Sequence, residues 1–165
     1  MPLQLMDACS LFHGLTPEQC NLLQEMMKER KITAGEVIFE QGDPATSMYI
    51  VIHGMIAVRH KPYEEPWLDV AEIQEDGIFG WSAVLGHQRY TSSAIALVDS
   101  SLIAINGYQL RSLCLQRPDM GVILLERLAT AIADLYQSTQ LHIIRMLNNE
   151  MEYNEIDGGR RKAHD

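Results

Sequence analysis

The sequence predicts an α+β fold, mainly β: a small antiparallel sandwich or barrel, with helices before it and one long helix after it. Three observations carry this reading. From Ile32 to Ile105 apolar residues recur with a period of two, in short runs broken by turn residues at spacings of about eight to twelve. On either side of that region the period becomes helical. At 165 residues the chain reads as one domain, and chains of about that size bury roughly two-thirds of their unfolded surface, so a core forms without staples.

The elements follow in order. Residues 3–14 form a short helical lead-in that stops at Gly14. Thr16-Pro17-Glu18-Gln19 opens a second helix: Thr16 caps it, Pro17 suits the first helical position and Gln19 completes a capping box. Leu22, Leu23, Met26 and Met27 give this helix an apolar face. Its end is expected near Arg30, where Lys28, Arg30 and Lys31 suit the negative end of the dipole. Strands are expected over 36–40, 47–53, 55–60, 67–73, 91–98 and 101–105, with turns at Gln41–Pro44, Gly54 and Asp99-Ser100. In 67–73, Leu68 and Val70 face one way, Asp69 and Ala71 the other. Lys61–Pro66 is an exposed hairpin loop. A helix over 108–116 is stopped by Pro118. Asp119 caps a long helix from Met120 to about Asn149, and Met151–Asp165 is expected as a mobile polar tail. The domain division expected is thus 1–150 and 151–165. Leu125, Leu128, Ile132, Leu135, Thr139, His142 and Met146 alternate steps of three and four along the long helix. Such a heptad seam suits a homodimer through 120–147; the bland alternative is that the stripe packs on the chain's own β-core.

Composition excludes several classes. A net charge of -9 opposes binding to phosphate backbones, and Arg160-Arg161-Lys162 is too short to reverse it, so no direct nucleic-acid contact is expected. Three separated cysteines (Cys9, Cys20, Cys114) suggest neither a zinc site nor a disulfide framework but reduced thiols in a cytoplasmic protein. The six histidines show no H-x-H or H-x-x-x-H spacing, so no metal site is expected. No basic-then-apolar leader and no long apolar run is present, so no membrane span is expected. No nucleophile–base pair can be assembled, which disfavours an enzyme.

The chemistry concentrates in residues 77–97, GIFGWSAVLGHQRYTSSAIAL: a glycine turn, a short helix, a polar hinge and an apolar strand. Gly80 permits close approach of the backbone to a bound group. Ser82 suits the start of a helical turn, and the amides of Ser82, Ala83 and Val84 would then be free to face an anion. Arg89 could close over it. The alternative is a plain surface connection with no ligand.

The order of elements and two motifs resemble the cyclic-nucleotide-binding domain of catabolite-activator-type regulators, regulated kinases and channels. Leu11–Gln19 is similar to that family's opening helix. Ala34–Asp43 followed by Met48–Gly54 is similar to its first β-pairs. The resemblance covers roughly residues 10–147 and implies a β-roll, or jelly roll, flanked by N-terminal helices and a long dimerisation helix. It implies a ligand cassette at Phe79-Gly80, where the family's glutamate takes a ribose hydroxyl; here Trp81 stands in that place, and an indole cannot accept a hydrogen bond. Trp81 could stack on a flat ligand or fill the pocket. Arg89 lies near the place of the phosphate-binding arginine, although counting back from the following strand puts Tyr90 there and Thr91 on the hydroxyl position. Thr91 and Ser92 supply hydroxyls in either alignment, and Ser138-Thr139 resembles the pair that reads the base in some members. Cyclic AMP or cyclic GMP is the implied ligand. Haem, which His87 and Pro2 would allow, is disfavoured.

Two readings follow. One is a stand-alone signal-sensing module in which a small anion in the 79–92 cassette biases the long helix and its dimer or partner contact. The other is a dimeric interaction protein with a degenerate pocket that binds no cyclic nucleotide. The protein partner is not legible in the sequence.

Overall fold

The computed structural model describes residues 6–62 and 66–161; in the last helix it describes the backbone alone for 142–143, 146–147 and 149–161. The chain divides into two compact units, Met1–Ile132 and Ala133–Asp165.

Among the described residues of the first unit Met6 and Asp7 are helical, a 3-10 turn follows at Ser10–Phe12, and a helix α1 spans Pro17–Gln24. The capping box forms as the sequence predicts: Thr16 accepts from the Gln19 amide at 3.3 Å, and the Gln19 side chain accepts from the Thr16 amide at 2.9 Å. The helix does not reach Arg30. Met27–Ile32 is instead strand β1, paired antiparallel along its length with β8 (Ser100–Asn106). Lys28, Glu29 and Lys31 stay exposed on this edge strand, where charge opposes pairing with another sheet. Helix propensity was overridden by the pairing that β8 offers.

The remaining strands are β2 (Val37–Phe39), β3 (Ser47–His53), β4 (Ile56–His60), β5 (Leu68–Ile73), β6 (Ile78–Phe79) and β7 (Ser93–Ala96). They form two four-stranded sheets, β1-β8-β3-β6 and β2-β7-β4-β5, with every pairing antiparallel. The expected 91–98 strand is therefore shorter, and Ser100 opens β8 rather than closing a turn. The simple alternation expected in 67–73 is broken by a bulge: Val58 faces Ala71 and Arg59 faces Asp69, leaving Val70 unpaired in the register.

Strand β3 is buried on both faces, which explains its nearly unbroken apolar run. Met48 and Ile50 join Ile103 and Ile105 of β8 against the helices, in a core with Leu11, Phe12 and Leu23. Tyr49 instead stacks with Phe39 and Phe79, so aromatic rings from both sheets meet inside the roll.

Three helices follow from the second half of the chain: α2 (Ser82–Leu85), α3 (Gly107–Gln116) and α4 (Pro118–Arg161). Asn106 caps α3 by accepting from the Gln109 amide. The long helix starts at Pro118, so Asp119 lies in its first turn rather than before it, and it runs to Arg161 instead of ending near Asn149. Within the first unit, Met120, Leu124 and Leu128 are buried in the helical core and Ile132 packs on it, whereas Leu125 is exposed. Leu128 and Ile132 thus serve this chain's own core, the bland alternative for that part of the heptad. In the second unit Leu135 and Thr139 are half-buried; the side chains of His142 and Met146 lie outside the described residues.

Candidate functional site

Residues 77–92 run through β6, a left-handed glycine, α2 and a return hinge. Gly80 has φ 73°, a conformation open to glycine and strained for other residues. A Cβ there would stand 3.1 Å from the Ser47 carbonyl oxygen and 3.2 Å from Phe39. What approaches Gly80 closely is therefore the protein's own β3 backbone and aromatic cluster.

Trp81 occupies the N-cap of α2 without capping it, since its indole cannot accept. It is half-buried and packs against the helical core. The amides expected to face an anion are largely committed. Val84 donates to the Trp81 carbonyl at 2.9 Å and Ala83 to the Gly80 carbonyl at 3.3 Å, because so short a helix closes on itself with tight turns. Ser82, Ala83 and Val84 are all buried.

The hinge separates Arg89 from Tyr90. Arg89 is exposed, bridges Pro44 through its backbone and donates from Nη1 to the Gly42 carbonyl at 2.6 Å. Tyr90 points inward. Its ring lies on Phe39 with centroids 3.7 Å apart and 13° between planes. Its hydroxyl donates to the Ser47 carbonyl at 2.6 Å and accepts from the Ser47 amide at 3.0 Å. Burial and the adjacent Tyr90 push the Tyr49 phenol up, and the Arg30 guanidinium, 3.3 Å from its oxygen, partly offsets this.

The cavity that remains is about 50 Å³, bounded by Phe79, Gly80, Trp81, Ser82, Tyr90, Thr91 and Ser92. Sites for small molecules typically measure roughly 300–1,000 Å³. Phe39 and Val58 complete the wall. Sequence reasoning missed both, although inward-facing positions of β2 and β4 were the signal available. Arg89 does not line it. Ser138 and Thr139 belong to the second unit, where Thr139 Oγ1 donates to the Leu135 carbonyl at 2.9 Å. His87 is exposed, and Pro2 lies outside the described residues. Among the described residues no cluster of three metal-ligating side chains occurs, and no helix is long and apolar enough to cross a membrane.

The two sheets and the glycine–helix–hinge insert form the β-roll of cyclic nucleotide-binding domains, and sequence comparison agrees. Residues 29–117, more than half of the chain, match the cyclic nucleotide-binding domain, and the protein belongs to that family. It is 29% identical over 100 residues to the cyclic AMP receptor protein of Thermus thermophilus, covering 61% of this chain and 46% of that one. It is 25% identical over 120 residues to a cyclic nucleotide-gated potassium channel of Mesorhizobium japonicum, covering 73% of this chain and 32% of the channel. A solved cyclic nucleotide-binding domain from Methylobacillus flagellatus superposes with a TM-score of 0.74 at 17% identity, covering 87% of this chain and 81% of that one. The chain thus spans less than half the length of these two curated relatives, which are a receptor and a channel.

Proposed function

We propose that this chain is a regulatory module of the family whose cassette is filled by its own side chains, and that it acts through contacts of its last helix. One observation carries this reading: Tyr90, stacked on Phe39 and bonded to Ser47, occupies the roll interior while Arg89 is engaged outside with Gly42. Trp81 removes the acceptor for a ribose hydroxyl, and the Ala83 and Val84 amides are bonded within the turn. A cyclic phosphate would find Arg89 engaged with Gly42 and the Ala83 and Val84 amides already bonded. This is the dimeric interaction reading, with the later turns of α4 as the pairing element; the exposed Tyr136, Leu141 and Ile144 support it. The net charge of -9 supports a protein rather than a nucleic-acid contact, and three free thiols support a cytoplasmic setting.

The signal-sensing reading is favoured by a separate observation: Ser82, Thr91 and Ser92 line one small notch. Calorimetric titration and thermal shift with cyclic AMP, cyclic GMP and unrelated nucleotides decide between them. No binding at micromolar concentration is expected. A melting rise with one cyclic nucleotide that disappears in Arg89→Ala would establish sensing and overturn the proposal.

A further inference from the structure

A second, larger concavity lies away from the cassette mouth. It measures about 400 Å³, within the usual range for small-molecule sites, and is open to solvent along one side. It forms where α3 meets α4. Gly121 permits the close approach of these helices, since a Cβ there would stand 2.7 Å from the Cys114 carbonyl oxygen. The wall is aliphatic: Leu115, Val122 and Leu125 face solvent, and buried Val84 reaches it from α2. Leu115 is 82% exposed and Val122 66%, an unusual pair of bare aliphatic side chains on adjacent helices.

One charged group borders this wall, Arg111. Its Nη1 lies 2.6 Å from where a Cβ of Gly86 would stand, so the absence of a side chain at Gly86 makes room for the guanidinium. Among the described residues Arg111 forms no ion pair. Burial pushes the Cys114 thiol up, so it adds no competing charge. Among the described residues no aromatic ring and no carboxylate lines the groove, so they offer neither a stacking platform for a base nor a partner for a cation. Aliphatic walls with a single cation at the rim match an alkyl chain ending in an acid.

We propose that the groove between α3 and α4 binds a medium-chain amphiphilic monoanion, with its alkyl chain along Leu115, Val122 and Leu125 and its carboxylate on Arg111. Such a ligand would touch α2, α3 and α4 together and so tie the cassette to the start of the long helix. The proposal does not depend on whether a cyclic nucleotide binds.

Calorimetry and thermal shift on the full chain test it, with octanoate, decanoate, decanol and decyltrimethylammonium below their aggregation concentrations. Decanoate is expected to bind, and each methylene between octanoate and decanoate to tighten binding by up to about fourfold. Arg111→Gln is expected to weaken decanoate by about tenfold or more while leaving decanol unchanged. Val122→Trp, at an exposed position, fills the groove and is expected to weaken both; Arg127→Gln, elsewhere on α4, is expected to change neither. Silence with decanoate overturns the proposal. So does equal binding of the cationic amphiphile, or undiminished decanoate affinity in Arg111→Gln.

Discussion

Tyr90 is fixed at both ends, by the ring of Phe39 and by two hydrogen bonds to Ser47. Tyr90→Phe keeps the stack but leaves the Ser47 amide and carbonyl without their partner, an expected loss of about 1–3 kcal/mol. Urea denaturation should show a lower midpoint at constant slope. Cys9 gives a pH prediction. Burial, and secondarily the nearby Asp76, push its thiol up to about 11 from 9.0. A raised thiol pKa means the folded state holds its proton longer, so this contribution is complete below pH 9 and is lost as pH rises to about 11. Roughly 2–3 kcal/mol is at stake. Melting temperature should fall across that window, and Cys9→Ala should flatten part of the fall; Cys20, Cys114 and Tyr49 shift the same way and contribute the remainder. An unchanged alkaline limb in Cys9→Ala would refute the assignment.

At the scale of elements, local signals with local causes were legible. Thr16, Pro17 and Gln19 act within one turn, so the capping box could be read from four letters. Thr16→Ala should cost about 1 kcal/mol of stability, measured by thermal unfolding. Met27–Ile32 was not legible, because its strand state comes from β8, whose residues Ser100–Ile105 lie far along the chain. The same holds for the cassette. The turn at Gly80 and the helix at Ser82 stand where the sequence places them, but the direction of Arg89 depends on the distant Gly42 carbonyl. Gly107 shows how closely the elements fit: a Cβ there would collide with the Ala83 carbonyl, so α3 begins directly against α2. Gly107→Ala is expected to destabilise the fold by about 1–3 kcal/mol, visible as a lowered melting temperature.

At the scale of the molecule, the fold class was legible because alternation and helical periods change at Ile32 and Asn106, whatever the partners. The heptad was only partly legible. A stripe of apolar residues does not reveal whether its first turns meet the chain's own core, as Leu128 does, or another surface. Self-association remains the expectation for the later turns. Sedimentation should give twice the 18.7 kDa of one chain, and Leu141→Glu should shift the mass toward one chain. A monomer at all concentrations would remove α4 as a pairing element.

The clasp between Arg89 and the 42–44 turn also bears on how this protein could change its specificity. Trp81→Glu alone would set a carboxylate beside a packed aromatic interior, with the guanidinium still engaged on the far side of the hinge. Opening a nucleotide site would demand further alterations at Tyr90 and at the 42–44 contact as well. On the proposed reading a single change at position 81 does not make a nucleotide site, and a saturation library there is expected to yield no nucleotide binder by calorimetry.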